Sequence, residues 1–146
     1  MTVYVALLRG VNVGGRGKLE MGTLKKAFEE LGCADVRTYI NSGNVVFRDR
    51  RAASTVGRLA EEAVGFRVAV RSLAQMRELV RSIPDVWATD SEQKTDVAFL
   101  LESDEEVVWH ALRKDLKPRE GIQVAAPATV RNVNTVRKLT EMMEEL

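Results

Sequence analysis

The sequence predicts a mixed α+β fold, because strand patterns and helix patterns alternate along its 146 residues. A continuous apolar run at residues 3–8 is typical of a strand buried on both faces, and residues 96–101 form a second such run. Between these runs, apolar residues recur at helical spacing. Hydrophobic residues make up 45% of the chain and charged residues 29%, which is the composition of a globular protein.

The first half of the chain contains six predicted elements. They are, in order, a strand at 3–8, a helix at 21–31, strands at 36–40 and 45–47, a helix at 52–64 and a strand at 66–70. Gly32 ends the first helix, and the segment 41–44 supplies the turn between the second and third strands. This βαββαβ order, over about residues 1–72, predicts a ferredoxin-like unit. We expect the strand order 4-1-3-2, with both helices on one face of the sheet.

The second half, about residues 73–146, predicts a shortened α/β unit. Its predicted elements are a helix at 73–81, a strand at 96–101, a helix at 105–114, a short strand near 122–124 and a final helix whose apolar stripe runs from Val133 to Leu146. Because the first strand is apolar on both faces, we expect this half to cover the sheet face opposite the two helices. No flexible linker separates the halves, so the prediction is one compact domain over residues 1–146.

Several classes of protein are disfavoured by composition. No apolar run approaches the 18 or more residues that span a bilayer, and we expect no signal peptide, since the first strand begins at Val3. The single cysteine, Cys33, suits a reducing compartment, so we expect a cytoplasmic protein. A formal net charge of +1 and 5% aromatic residues do not favour a nucleic-acid platform, which needs positive charge and exposed aromatic rings.

The strongest candidate for a binding site is the glycine-rich loop at 9–18. It follows a buried strand and opens a helix, the setting in which backbone N–H groups and the helix dipole attract anions. Its glycines permit close backbone approach, and its arginines and lysine supply positive charge. The loop lacks the spacing of a P-loop and of a dinucleotide fingerprint. The alternative is a mobile loop with solvated charges.

The predicted topology brings a second segment to this loop. In a βαββαβ unit, the loop after the first strand and the turn between the second and third strands lie at the same end of the sheet. Asn41, Ser42 and Asn44 of that turn can therefore share a surface with the loop. The alternative is that Asn and Gly serve only the turn geometry there.

A third polar segment, Arg131 to Asn134, precedes the last helix. One asparagine of this segment is a natural N-cap, and capping alone is the alternative interpretation. Two asparagines with Arg131 exceed what a cap requires, so we expect them to join the same positively charged surface. The predicted ligand-binding residues are Arg9, Asn12, Gly14, Gly15, Arg16, Lys18, Asn41, Ser42, Asn44, Arg131, Asn132 and Asn134.

Three motifs in this order resemble a bacterial family catalogued as domain of unknown function 1697. They are YVALLRGVNVGG at 4–15, TYINSGNVVF at 38–47 and TVRNVNTV at 129–136, the last followed by Lys138 and Leu139. The resemblance covers the chain from its first strand to its last helix and implies two intertwined ferredoxin-like units. The chain departs from the family pattern at Val133, where Trp is usual. A segment expected between Gly121 and Pro127 is also largely missing.

The resemblance brings no activity with it, so the expected function comes from the residues. We expect a binding module for a phosphate-bearing small molecule or nucleotide at the loop edge. Alternatives are an enzyme acting on a phosphorylated or carboxylated substrate and an interaction protein without a small-molecule ligand. Catalytic residues are not identified, since the only histidine, His110, has no evident nucleophile partner and Cys33 is expected to be buried. We expect no metal and no cofactor, and the oligomeric state is left open.

Overall fold

The structure is a computed structural model that describes residues 1–12 and 18–146. Its strands are β1 (Thr2–Leu8), β2 (Ala34–Thr38), β3 (Asn44–Asp49), β4 (Val68–Ser72), β5 (Gln93–Leu100), β6 (Glu106–Leu112) and β7 (Ala128–Asn132). Its α-helices are α1 (Met21–Glu30), α2 (Ala53–Val64), α3 (Leu73–Ser82), α4 (Asp85–Thr89) and α5 (Val133–Glu144), and a short 3-10 turn lies at Arg113–Asp115.

The first four strands form one sheet in the order β2-β3-β1-β4, with antiparallel neighbours throughout. This is the predicted strand order. Tyr4 and Phe47 on one face of the sheet pack against α1 and α2, where Phe28 and Val56 are fully buried. The expectation that both helices lie on one face is therefore confirmed.

The opposite face of this sheet is covered by the second half of the chain. Val5, Leu7 and Val46 join a core cluster whose other members come largely from α3, α5 and β5. Helix α5 contacts β1 and β3 of the first sheet and β5 and β7 of the second, so it lies between the two sheets. The expected covering is confirmed, and with it the mixed α+β class.

The second sheet has three antiparallel strands in the order β6-β5-β7, and it corrects two predictions. The helix predicted at 105–114 is wrong, because residues 106–112 form strand β6. Adjacent valines and Trp109 favour a strand, and pairing with β5 outweighs the helical spacing of a few apolar residues. The strand predicted near 122–124 is also wrong. The pairing strand is β7, which begins after Pro127 and places Val130 opposite Ala98.

The chain contains an internal repeat of one strand and the helix that follows it. Residues 70–79 (VRSLAQMREL) and 130–139 (VRNVNTVRKL) share valine, two arginines and leucine at the same positions. Arg71 lies opposite Val5 of β1, and Arg131 lies opposite Val97 of β5. β4 and α3 are thus the counterparts of β7 and α5, and the central strands β1 and β5 are counterparts of each other.

Candidate functional site

A buried arginine, Arg131, joins the two halves of the molecule at the predicted loop edge. Only 7% of the residue is exposed. Its Nη2 donates to the carbonyl oxygens of Leu8 at 2.8 Å, Ser42 at 3.1 Å and Gly43 at 3.2 Å. Its Nε donates to Oδ1 of Asn44 at 2.6 Å, and its Nη1 donates to the hydroxyl of Thr129 at 2.7 Å. The C-terminal motif therefore meets the Asn41–Asn44 turn.

Burial of Arg131 contradicts the prediction of a shared exposed surface. Asn44 is fully buried, and its side-chain amide donates to the carbonyl of Tyr39 at 3.0 Å and to Ser42 Oγ at 2.8 Å. Burial lowers the pKa of Arg131 to about 10, so the side chain stays charged at neutral pH. The guanidinium and the amide are already engaged inside the protein, so the part of the prediction that placed them on a surface is wrong.

Gly43 shows how closely the turn approaches β1. Its φ is +87°, and a Cβ added there would lie 2.9 Å from Cβ of Leu8. A larger residue would clash with β1 and strain the backbone. The glycine therefore brings the carbonyls of the turn within reach of Arg131.

The loop after β1 and the turn after β2 also lie side by side. The amide nitrogen of Asn12 donates to the carbonyl of Asn41 at 2.6 Å, and its Oδ1 accepts from the N–H of Leu19 at 3.0 Å. Arg9, Lys18 and Asn41 are exposed in this region. Gly14, Gly15 and Arg16 lie outside the described residues. The side chain of Asn12 thus holds the loop to the turn, which leaves the exposed neighbours as candidates for ligand contact.

The side chains of the two asparagines of the C-terminal motif line a cleft to which Arg131 does not contribute. Oδ1 of Asn132 accepts from the N–H of Thr135 at 2.9 Å and caps α5, so the capping interpretation holds for this residue. Asn132 and Asn134 line a cleft of about 660 Å³ between the start of α5, the first residues of β5 and the segment 87–91. The structure therefore divides the predicted residues between two places.

Thr95, which the sequence analysis did not single out, lines this cleft from its inner wall. The residue is 2% exposed, and within the described residues its hydroxyl has no hydrogen-bond partner. Tyr4 lies opposite Ser72 and Asp96 opposite Asn132, so Thr95 corresponds in the internal repeat to Val3. The repeat does not require a hydroxyl there. Comparing Thr95 with Val3 could have identified the residue, but only with the strand register known.

The charges of the cleft are mixed. Lys94 Nζ lies 3.7 Å from Asp96 Oδ2, and Arg113 contributes a second cation. Asp90 accepts from the Gln93 amide at 2.9 Å and from the N–H of Glu92 at 2.9 Å. The Gln93 hydrogen bond, followed by that from Glu92, lowers the pKa of Asp90. The cleft therefore offers donors and acceptors in similar measure.

His110 supports the wall behind the cleft. It lies on β6 rather than in the predicted helix, and its ring stacks on Trp87 with centroids 3.8 Å apart and planes 7° from parallel. Its Nε2 lies 2.6 Å from Gln93 Oε1. Because the amide nitrogen of Gln93 faces the acceptor Asp90, its oxygen faces His110, and Nε2 must carry a proton. The two hydrogen bonds that link Asp90, Gln93 and His110 thus orient the imidazole.

Three further observations concern metal ligands, membrane-spanning helices and the cysteine. Within residues 1–12 and 18–146, no group of three or more His, Cys, Asp or Glu side chains is arranged to hold a metal ion. None of the helices in the described part of the chain is long and apolar enough to cross a membrane. Cys33 is buried as expected, and burial, with a hydrogen bond to Asp49, raises the pKa of its thiol to about 12.

Comparisons with known proteins identify a family and a fold. The model of a family described as "Protein of unknown function (DUF1697)" matches residues 1–142. The chain is similar in structure to a conserved bacterial protein, SP0830 from Streptococcus pneumoniae, with a TM-score of 0.76 and 23% sequence identity over 97% of this chain and 98% of that one. That likeness supports the fold alone. No curated protein matches the chain.

Proposed function

The chain belongs to this family of proteins of unknown function, and we propose that it is a binding module for a phosphate-bearing small molecule, held in the cleft at the N-terminus of α5. The observation behind this proposal is the hydroxyl of Thr95, which is buried in the cleft wall and has no hydrogen-bond partner among residues 1–12 and 18–146. A buried hydroxyl without a hydrogen bond costs about 1–3 kcal/mol. A ligand oxygen would remove that cost once the atoms that cover the hydroxyl move aside and let it accept from Thr95.

The start of α5 supports an anionic group at this place. The first N–H groups of a helix have no partner within the helix, and they carry the positive end of its dipole. Asn132 occupies the N–H of Thr135, while Val133 and Asn134 also line the cleft. A phosphate between these N–H groups and Thr95 would accept hydrogen bonds from backbone and side chain together.

The charged side chains indicate what the rest of the ligand carries. Lys94 and Arg113 add positive charge, whereas Asp90 and Asp96 would repel a ligand that is anionic throughout. We therefore expect one phosphate with neutral or hydrogen-bond-donating groups beside it, as in a sugar phosphate or a nucleoside monophosphate.

The glycine and arginine loop edge is the less supported location. Arg131 and Asn44, two of its predicted members, are engaged inside the protein. Arg9, Lys18 and Asn41 remain exposed there. A ligand at that edge would depend on Arg9 and Lys18, so R9A/K18A separates the two locations. If those changes abolish binding while Thr95→Val leaves it intact, the cleft is the wrong place.

Thr95→Val tests the proposal directly. The variant keeps the shape of the side chain and installs the residue type of the repeat. We expect the free protein to gain about 1 kcal/mol of unfolding free energy, because an unpartnered buried hydroxyl is removed. We also expect it to lose the stabilisation that inorganic phosphate, a sugar phosphate or a nucleoside monophosphate gives the parent, which is ~2.7 kcal/mol at a hundred times Kd.

The control is Thr140→Val. Thr140 is also buried, but its hydroxyl donates to the carbonyl of Val136 at 2.9 Å, and it does not line the cleft. This variant should bind like the parent. The proposal fails if none of the three phosphates shifts the thermal midpoint or the amide NMR signals of Val133 and Asn134. Equal shifts with acetate would mean that the cleft accepts carboxylates as well.

A further inference from the structure

We propose that the free edge of β6 binds the same strand of a second copy of this chain, antiparallel, and joins two three-stranded sheets into one sheet of six strands. The inference rests on other observations than the proposed ligand does, and it shares one residue, Arg113, with the cleft. β6 lies at the edge of its sheet in the order β6-β5-β7. An edge strand presents a row of unpaired N–H and C=O groups that can pair with another strand.

The hydrogen-bond pattern identifies which groups face the free edge. Leu100 donates to the carbonyl of Glu105, and Arg113 donates to the carbonyl of Glu92, so odd-numbered residues point toward β5. By alternation, the backbone groups of the even-numbered residues 106–112 point outward. In residues 1–12 and 18–146, no backbone hydrogen bond beyond the β5 ladder reaches these outward groups.

The side chains of β6 do not protect this edge. Val107, Val108 and Leu112 are 39%, 37% and 38% exposed, which places apolar surface on both faces of the strand. The strand contains no lysine or proline, the residues that commonly prevent edge pairing, and its one acidic residue, Glu106, is paired with Arg71 at 2.7 Å.

The other sheet shows such protection. β2 is an edge strand with a register shift between Ala34 and Arg37. Asp35 has a φ of +51°, and both Asp35 and Arg37 are exposed. A bulge and charged side chains therefore hinder the pairing of β2 with another strand. In contrast, β6 is regular over seven residues. The contrast within one chain favours β6 as a surface that binds a strand.

Charge complementarity favours a second copy as the occupant. A two-fold axis at Trp109 would place Val108 opposite His110 of the other copy, so that outward groups meet outward groups. The same register places Glu105 opposite Arg113 of the second copy at both ends of the pairing. Two opposite charges would thus close each end, and the two Trp109 rings would meet as a cross-strand pair.

Sedimentation equilibrium of the full chain tests this inference, from 10 µM to 1 mM. We expect a concentration-dependent rise from the 16.3 kDa monomer toward twice that mass. Val108→Lys should abolish the rise. Val130→Lys is the matched control, because Val130 is 42% exposed on β7 at the opposite edge of the same sheet. It should dimerise like the parent.

Charge exchange gives a second test that does not depend on Val108→Lys folding. Glu105→Arg should weaken dimerisation about tenfold, since two attractive pairs become repulsive. Adding Arg113→Glu should restore it. The inference is overturned if the parent stays monomeric at 1 mM, if Val130→Lys disrupts the dimer as strongly as Val108→Lys, or if the double exchange restores nothing.

Discussion

At the scale of single residues, a buried carboxylate ties the end of β3 to the end of α1. Asp49 is 4% exposed and accepts from Arg51 at both oxygens, from Nη2 at 2.7 Å and from Nε at 2.9 Å. Arg51 also donates to the carbonyl of Leu31 at 2.7 Å. The hydrogen bond from Arg51 is the largest cause that lowers the pKa of Asp49 to about 2. A carboxylate bound at both oxygens is one of the stronger polar contacts in proteins.

The first prediction concerns the loss of unfolding free energy at acidic pH. A carboxyl whose pKa is lower in the folded state stabilises the protein above its unfolded pKa, and this contribution is lost as pH falls through the folded pKa. For Asp49 the window runs from 3.8 down to about 2. We expect the parent to lose about 2 kcal/mol of unfolding free energy across this window relative to Asp49→Asn.

Urea titrations at several pH values between 7 and 2 measure this loss. Asp35→Asn is the control, because Asp35 forms an exposed pair with Arg48 at 3.6 Å, and its curve should follow the parent within about 0.5 kcal/mol. If the unfolding free energies of the parent and of Asp49→Asn fall in parallel with pH, the Asp49–Arg51 pair does not cause the loss of stability in acid.

At the scale of elements, the unit of β4 and α3 and the unit of β7 and α5 each carry one buried arginine. Each arginine donates hydrogen bonds to a turn in the other half of the chain. Arg71 is 2% exposed and donates to Glu106 at 2.7 Å and to the carbonyls of Leu100 and Ser103. Arg131 does the same for the β2–β3 turn, but its partners are oxygens without charge. The two arginines therefore differ in the charge of their partners, although their positions in the repeat are equivalent.

The second prediction is that Arg131→Met destabilises the protein by about 3 kcal/mol or more. The change leaves the carbonyls of Leu8, Ser42 and Gly43 and the amide oxygen of Asn44 without this donor, and unpaired buried acceptors are costly. Arg131→Lys should recover only part of this loss, because a lysine cannot reproduce the planar fork of donors.

Urea unfolding of the three proteins measures these costs. Arg58→Met is the control, since Arg58 is exposed and pairs with Glu62 at 3.9 Å, and the change should stay within about 0.5 kcal/mol. A loss below 1 kcal/mol for Arg131→Met would mean that the turn and β1 are held by packing alone.

At the scale of the whole molecule, one core cluster draws residues from both halves. Val5 and Val46 of the first sheet share it with Val97 and with Val136 and Leu139 of α5. Removing either half would expose the apolar residues of the other. Exposing them would cost free energy, at roughly 25 cal/mol per Å² of apolar surface. The shared cluster couples the two sheets energetically.

The third prediction follows from this shared core. We expect residues 1–146 to unfold in one cooperative transition, as a single compact domain. Both tryptophans, Trp87 and Trp109, lie in the second half, so their fluorescence reports on that half alone. Amide NMR signals of β1 and β3 report on the first half. The two sets of midpoints should coincide, and calorimetric and van't Hoff enthalpies should agree. Midpoints separated by several degrees would indicate two domains.

Much of the first half follows from sequence pattern, because its elements are long, periodic and joined by recognisable turns. The strand order, the helix positions and the nearness of the loop to the Asn41–Asn44 turn are all local pattern combined with topology. Helix α3 at 73–82 and helix α5 at 133–144 were predictable for the same reason. Apolar spacing determines which face of each element is buried, whatever covers that face.

Tertiary pairing decided the rest. Residues 106–112 have both strand and helix character, and hydrogen-bonded pairing with β5 stabilises the strand. The sequence alone could not show that Arg131 points inward while its neighbours Asn132 and Asn134 reach the cleft, because alternation along β7 has meaning only once its register with β5 is set. Thr95 depends on the same register. A hydroxyl becomes a candidate ligand contact when its surroundings leave it unpaired, and those surroundings come from segments distant in the chain.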